Sequence, residues 1–164
     1  MNISKLHISG KERKELIRST ESYLPNLDEF LPKKGSIVKY TFSKTEALYI
    51  VDQKSIVLVE LDNLLLPHLK TIRNMEVTIP KIVVDIGAIK FVTNGADIMR
   101  PGIVEIDDDV MEGGLVLVVE ERNQAPLSIG RSLYDAIDMR SKDAGKCIKN
   151  LHWLKDKWFD FEIE

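Results

Sequence analysis

VDIGAIKFVTNGADIMRPGI, residues 84–103, is the stretch around which the rest of the chain is organised. It leads from the end of an apolar strand into a short helix beginning near Gly87, through a turn at Asn94-Gly95, to the Pro101-Gly102 pair and a further strand. Gly95 and Gly102 supply turn conformations that other residues resist, and Asn94 shares that role. The glycines do not spell a phosphate loop, because no Gly-Lys-Ser/Thr follows and the spacing differs from Gly-x-Gly-x-x-Gly. No nucleotide cofactor is implied.

Downstream, short β segments follow one another: IVEID, GGLVLVVEE, APLSIGRS and GKCIKNLHWL. Six of the nine glycines fall between Gly87 and Gly130, so the segments are punctuated closely enough for a small barrel or sandwich. Upstream the pattern differs. Leu16, Ile17 and Tyr23-Leu24, set among Lys, Arg and Glu, predict an amphipathic helix over Gly10–Leu24, capped by Ser9. Pro32-Lys33-Lys34-Gly35 turns the chain into SIVKYTF, ALYIVD and SIVLVELD, an antiparallel meander of β-branched and aromatic residues. LLLPHLKTI, Leu64 to Ile72, reads as a second helix with Pro67 in its first turn. Thr78-Ile79-Pro80 breaks it, dividing the chain into an N-terminal α+β domain over 1–78 and a mixed β domain over 79–164.

Charge narrows the function. Twenty-three basic residues face 26 acidic ones, a net −3, which removes the bulk attraction of a polybasic nucleic-acid binder. The imbalance is uneven: 12 basic against 10 acidic residues through Thr78, and 11 against 16 after it. Any RNA site is therefore local. The single cysteine, Cys147, cannot form an internal disulfide. The longest apolar run, Leu115–Val119, is too short to span a bilayer, and MNISKLHISGKERKEL lacks the apolar core of a signal peptide. The expectation is a cytoplasmic protein with no membrane partner.

No catalytic constellation emerges. His7, His68 and His152 are scattered, and Cys147 with His152 offers only half of a zinc site, so Cys147 reads as a small buried apolar residue. Asp107-Asp108-Asp109 lacks the spacing of a calcium loop and reads as a solvated acidic turn between strands. Ile89, Phe91 and Trp153 are assigned to the core, and the tail DKWFDFEIE to covering an apolar edge. Catalytic residues, metal ligands and cofactors are all expected to be absent.

The order of strand, helix, glycine turn and Pro-Gly in residues 84–103 resembles the PUA domain, the small RNA-binding pseudo-barrel named for pseudouridine synthases and archaeosine transglycosylases. The resemblance continues through Val116–Val119, Ala125–Arg131 and Gly145-Lys146, covering the chain from about Pro80 to its end. With LLLPHLKTI and Ile79-Pro80 upstream, the whole chain resembles the malignant T-cell amplified sequence family, in an archaeal-type form. That likeness implies an N-terminal α/β pre-PUA domain followed by a PUA pseudo-barrel. It also implies a non-enzymatic factor that works with tRNA or rRNA on the small ribosomal subunit, alongside another translation factor.

The candidate RNA-binding residues are Gly87, Lys90, Asn94, Gly95, Asp97, Met99, Arg100, Gly102, Arg131 and Lys146. Gly87 opens a helix whose amide groups and positive dipole end suit a phosphate. Lys90 and Arg100 flank the Gly95 turn as phosphate contacts, and Arg131 and Lys146 follow the glycine corners of later strands. A weakly acidic domain suits an unpaired RNA end such as a tRNA acceptor terminus, read by splayed bases. Two alternatives stand beside this reading: a protein-interaction adaptor, and an accessory subunit in tRNA or rRNA modification or ribosome biogenesis.

Overall fold

The computed structural model describes residues 2–33 and 36–164, which form two compact units. Met1–Thr78 and the last four residues, Phe161–Glu164, make the first, and Ile79–Asp160 the second. The Lys34-Gly35 half of the expected turn lies outside the described residues.

The first unit is an antiparallel sheet of β1 (Ser4–His7), β2 (Ile37–Thr41), β3 (Glu46–Val51), β4 (Ser55–Leu61) and β5 (Leu64–Pro67), in that order. Helix α1 (Gly10–Thr20) is inserted after β1 and begins at a capping box. The Glu12 amide donates to Ser9 Oγ at 3.1 Å and the Ser9 amide to Glu12 Oε1 at 3.2 Å, which satisfies two of the orphan donors of the first turn. The helix stops short of Leu24. Thr20 Oγ1 donates to the Leu16 carbonyl at 2.8 Å, and the amides of Tyr23 and Leu24 both reach the Thr20 carbonyl, so the chain turns and carries Leu24 into the core. There it joins Leu16, Leu27, Leu31, Tyr49 and Leu58.

The helix expected over Leu64–Ile72 is a strand followed by a turn. Asp62 and Asn63 stand at φ of 48° and 67°, the left-handed pair of a two-residue hairpin loop, and return the chain onto β4 with Leu61 opposite Leu64 and Val59 opposite Leu66. Pro67 closes this edge strand, where proline is tolerated. Only Ile72–Asn74 is helical, as a single 3-10 turn. The Leu spacing fits either structure, and the Asp-Asn turn decides between them.

The second unit is a six-stranded sheet of β6 (Lys81–Val84), β7 (Ile98–Met99), β8 (Ile103–Ile106), β9 (Leu115–Glu120), β10 (Pro126–Ser132) and β11 (Lys146–Trp153). Its order is β7-β11-β10-β9-β6-β8, antiparallel throughout except for β6 beside β9. Register shifts in β6, β10 and β11 bend it into a nearly closed pseudo-barrel around Ile82, Val84, Val116, Val118, Cys147 and Ile148. Gly130 is required at one such shift, because a Cβ there would lie 2.5 Å from Ile148 Cγ2 and 2.6 Å from the Lys149 carbonyl oxygen. Two short helices, α2 (Ile89–Val92) and α3 (Ala136–Arg140), complete the unit.

Cys147 is fully buried, and Asp107–Asp109 form the exposed turn after β8. The core assignment fails for Phe91, which is 58% exposed, and is only partly met by Ile89 and Trp153, which are half-buried. In the tail, Trp158 is buried and Phe161 packs edge-on against Tyr40 and Phe42 at centroid distances of 6.0 and 5.3 Å. Among the described residues no helix is long and apolar enough to cross a membrane.

Candidate nucleic-acid interface

One face of the barrel is built by the quoted stretch. At the end of β6, Asp85 Oδ1 accepts the Ala88 amide at 2.9 Å and caps a 3-10 turn, Ile86–Ala88, that runs into α2. Asn150 on β11 holds the other end of this helix, donating through Nδ2 to the carbonyls of Val92 and Ala96, each at 3.0 Å. Its own amide donates to Asp97 Oδ1 at 2.9 Å. Gly95 then turns at φ of 89° with its α-carbon against the Trp153 indole, leaving no room for a Cβ. The Asp85 amide reaches the Gly102 carbonyl at 2.9 Å and fixes the Pro-Gly turn opposite α2.

Between these two walls lies a groove of about 480 Å³, lined mainly by Ala88, Phe91, Val92, Ile98, Met99 and Pro101. Phe91 stands 58% exposed on one wall and Met99 50% exposed on the other. The Lys90 ammonium lies 5.1 Å from the centre of the Phe91 ring. An exposed aromatic face, a polarisable thioether and a cation beside an apolar slot make a platform for a flat ring system.

Of the residues expected from sequence, Gly87, Asp97, Met99 and Gly102 line this groove. Lys90 is exposed beside it, and Asn94 and Gly95 form the turn that ends α2. The others point elsewhere. Arg100 donates from Nε to the Met139 carbonyl at 2.9 Å and from Nη1 to the Ile103 carbonyl at 3.0 Å, so its guanidinium pins the barrel edge to α3. Lys146 pairs with Asp97 at 2.8 Å. Burial opposes charge on Asp97, yet Lys146 and the Asn150 amide outweigh it and hold the carboxyl below its ordinary value. Arg131 is exposed on β10 and outside the groove lining.

The phosphate cradle read at Gly87 meets two carboxylates instead. Asp85 holds the Ala88 amide and Glu121 Oε1 accepts the Ile86 amide at 3.2 Å, so the amides on either side of Gly87 are engaged and an anion there faces like charge. His152, the half of a conceivable zinc pair with Cys147, lies with Nδ1 2.7 Å from Asp156 Oδ2.

Phe91 is the functional candidate that sequence reasoning placed wrongly. The signal was available. Residues two apart on a helix face opposite sides, so Ile89 and Phe91 in a four-residue helix cannot both reach one core. Ile89 packs against the barrel interior, and Phe91 points away from it.

A curled six-stranded sheet edged by this helix and Pro-Gly turn defines a PUA-domain protein, and the PUA domain model matches residues 80–154. An uncharacterised protein of Methanocaldococcus jannaschii is 37% identical over 155 residues, 94% of each chain. Translation machinery-associated protein 20 of Saccharomyces cerevisiae is 31% identical over 144 residues, covering 84% of this chain and 79% of that one. Among solved structures, a hypothetical protein from Pyrococcus horikoshii superposes with a TM-score of 0.79 at 30% identity, covering 96% of this chain and 98% of that one. The chain belongs to the family of PUA-domain proteins that includes translation machinery-associated protein 20 and the malignant T-cell-amplified sequence proteins.

Proposed function

We propose that this chain is a non-enzymatic, cytoplasmic RNA-binding factor of the translation machinery whose groove beside α2 takes the unpaired end of a tRNA or rRNA. The observation that carries the reading is the exposed Phe91 ring, backed by Lys90 and faced by Met99 across an apolar slot. A base stacked on such a ring contributes about 1–3 kcal/mol whatever its sequence. Lys90 holds the adjoining phosphate, and the small ribosomal subunit and a second translation factor complete the working assembly. With 16 acidic against 11 basic residues after Thr78, affinity comes more from stacking than from released counterions, so the salt dependence is shallow.

The test is fluorescence anisotropy of the full chain with tRNA, with the same tRNA lacking its terminal CCA, and with small-subunit rRNA fragments, at low and moderate salt. CCA-dependent binding that Phe91→Ala weakens about tenfold or more is the expected result. Binding that ignores Phe91→Ala removes the groove as the site, and no binding to any RNA removes the RNA-binding reading.

A further inference from the structure

We propose that the part of the barrel formed by α3 and the Asp107–Gly114 turn is a docking surface for a cationic, amphipathic polypeptide segment, separate from the RNA groove. Its anchor is apolar. Ile137, on α3, is 79% exposed, more than any other large apolar side chain among the described residues, and Met111 in the turn is 67% exposed. Two hydrogen bonds hold their segments side by side: the Ala136 amide donates to the Val110 carbonyl at 2.9 Å, and the Glu112 amide to Asp135 Oδ1 at 2.6 Å. Val110, Ala136 and Met139 are buried beneath, so Met111 and Ile137 project from a packed base rather than from a loose loop.

The surroundings choose the occupant. Residues 107–114 and 134–143 hold seven acidic against two basic side chains. Both basic groups are engaged locally, Arg140 with Asp108 and the Ile106 carbonyl, and Lys142 over the Tyr134 ring at 4.1 Å. An RNA or an anionic lipid surface meets like charge here. A second copy docking through the same face sets one acidic collar against the other. A basic segment with aliphatic side chains along one face matches both features: lysines or arginines meet Asp109, Glu112 and Asp138, and the aliphatic face covers Ile137 and Met111. Met111 adds a flexible, polarisable contact that adapts to the shape laid on it.

The probe is a fluorescein-labelled helical peptide of leucine and lysine, roughly 18 residues or five turns long, with its leucines on one face. The control peptide has the same composition in an order that leaves no apolar face. Titrated with the full chain at about 0.15 M salt, where distant charges are screened, the amphipathic peptide binds and the control does not. Met111→Ser with Ile137→Ser weakens binding about tenfold to a hundredfold, the effect of losing one or two buried aliphatic side chains. Glu112→Lys with Asp138→Lys abolishes it. All four positions are exposed, and the melting temperature and tRNA anisotropy of the Met111/Ile137 variant, which keeps the wild-type charge, stay at wild-type values, so loss of peptide binding and loss of RNA binding are read separately. Equal binding of the two peptides, wild-type affinity in the Met111/Ile137 variant, competition by tRNA for this face, or a dimer in sedimentation that Ile137→Ser dissolves would each overturn the proposal.

Discussion

Gly95→Ala separates two contributions that the structure places at one residue. Gly95 sits at φ of 89°, where an L side chain costs about 1–2 kcal/mol. An added Cβ would also lie 2.6 Å from Trp153 Cζ2 and 2.9 Å from Cε2, about 1 Å inside the optimal carbon–carbon separation. Relieving that overlap displaces the half-buried indole at a cost of about 1–3 kcal/mol, the usual range for overpacking. The total is about 2–5 kcal/mol. Gly113→Ala supplies the control, because Gly113 has φ of 79° and a Cβ there meets nothing within 4 Å. It carries the backbone cost alone. Urea unfolding of the two variants followed by tryptophan fluorescence measures the difference, expected at about 1–3 kcal/mol. If Gly95→Ala is no more destabilising than Gly113→Ala, the packing of the α2 turn on Trp153 is wrong. The alignment of the groove that depends on it is then wrong too.

Arg100→Ala lowers stability by about 1–3 kcal/mol, because the carbonyls of Met139 and Ile103 lose their donor, whereas Lys90→Ala leaves the melting temperature unchanged and weakens RNA binding. Calorimetry and anisotropy on the same preparations check both halves. Asp156 responds to pH. Burial opposes its charge, but His152 and the amides of Phe159 and Trp153 outweigh burial and hold the carboxyl below its ordinary value of 3.8. The stabilisation is therefore complete above that value and is lost as pH falls through the lowered folded-state one, and Asp156→Asn flattens this part of the acid limb in urea midpoints taken from pH 7 to pH 2. Asn63→Gly, at φ of 67° in the β4–β5 loop, is neutral or slightly stabilising in urea unfolding, since Asp-Gly suits this hairpin turn. A loss of about 1 kcal/mol, in the range glycine costs where its extra freedom is not needed, would show that position 63 does not take the left-handed conformation of this turn.

Local chemistry made much of this protein legible in its sequence. Ser9 announces the start of α1, β-branched runs between turns announce the two sheets, and the order from Asp85 to Gly102 announces the PUA domain. Each of these depends on neighbours within a few positions, so the chain carries the information in one place. What tertiary structure alone decided is direction. Arg100 turns inward because Met139, 39 residues on, offers it a carbonyl, and Lys146 is drawn to Asp97 across the sheet. Leu64–Pro67 is the contrasting case, a strand set by the neighbouring Asp62-Asn63 turn and therefore by a local signal that the helical reading passed over. That Ile89 and Phe91 take opposite sides of α2 is written in their spacing, but that Phe91 is the one left outside follows from Ile89 and Val92 packing on the barrel interior. A side chain's partner from a distant segment is absent from its own neighbourhood in sequence, and burial and hydrogen bonding are settled only when folding brings the two together.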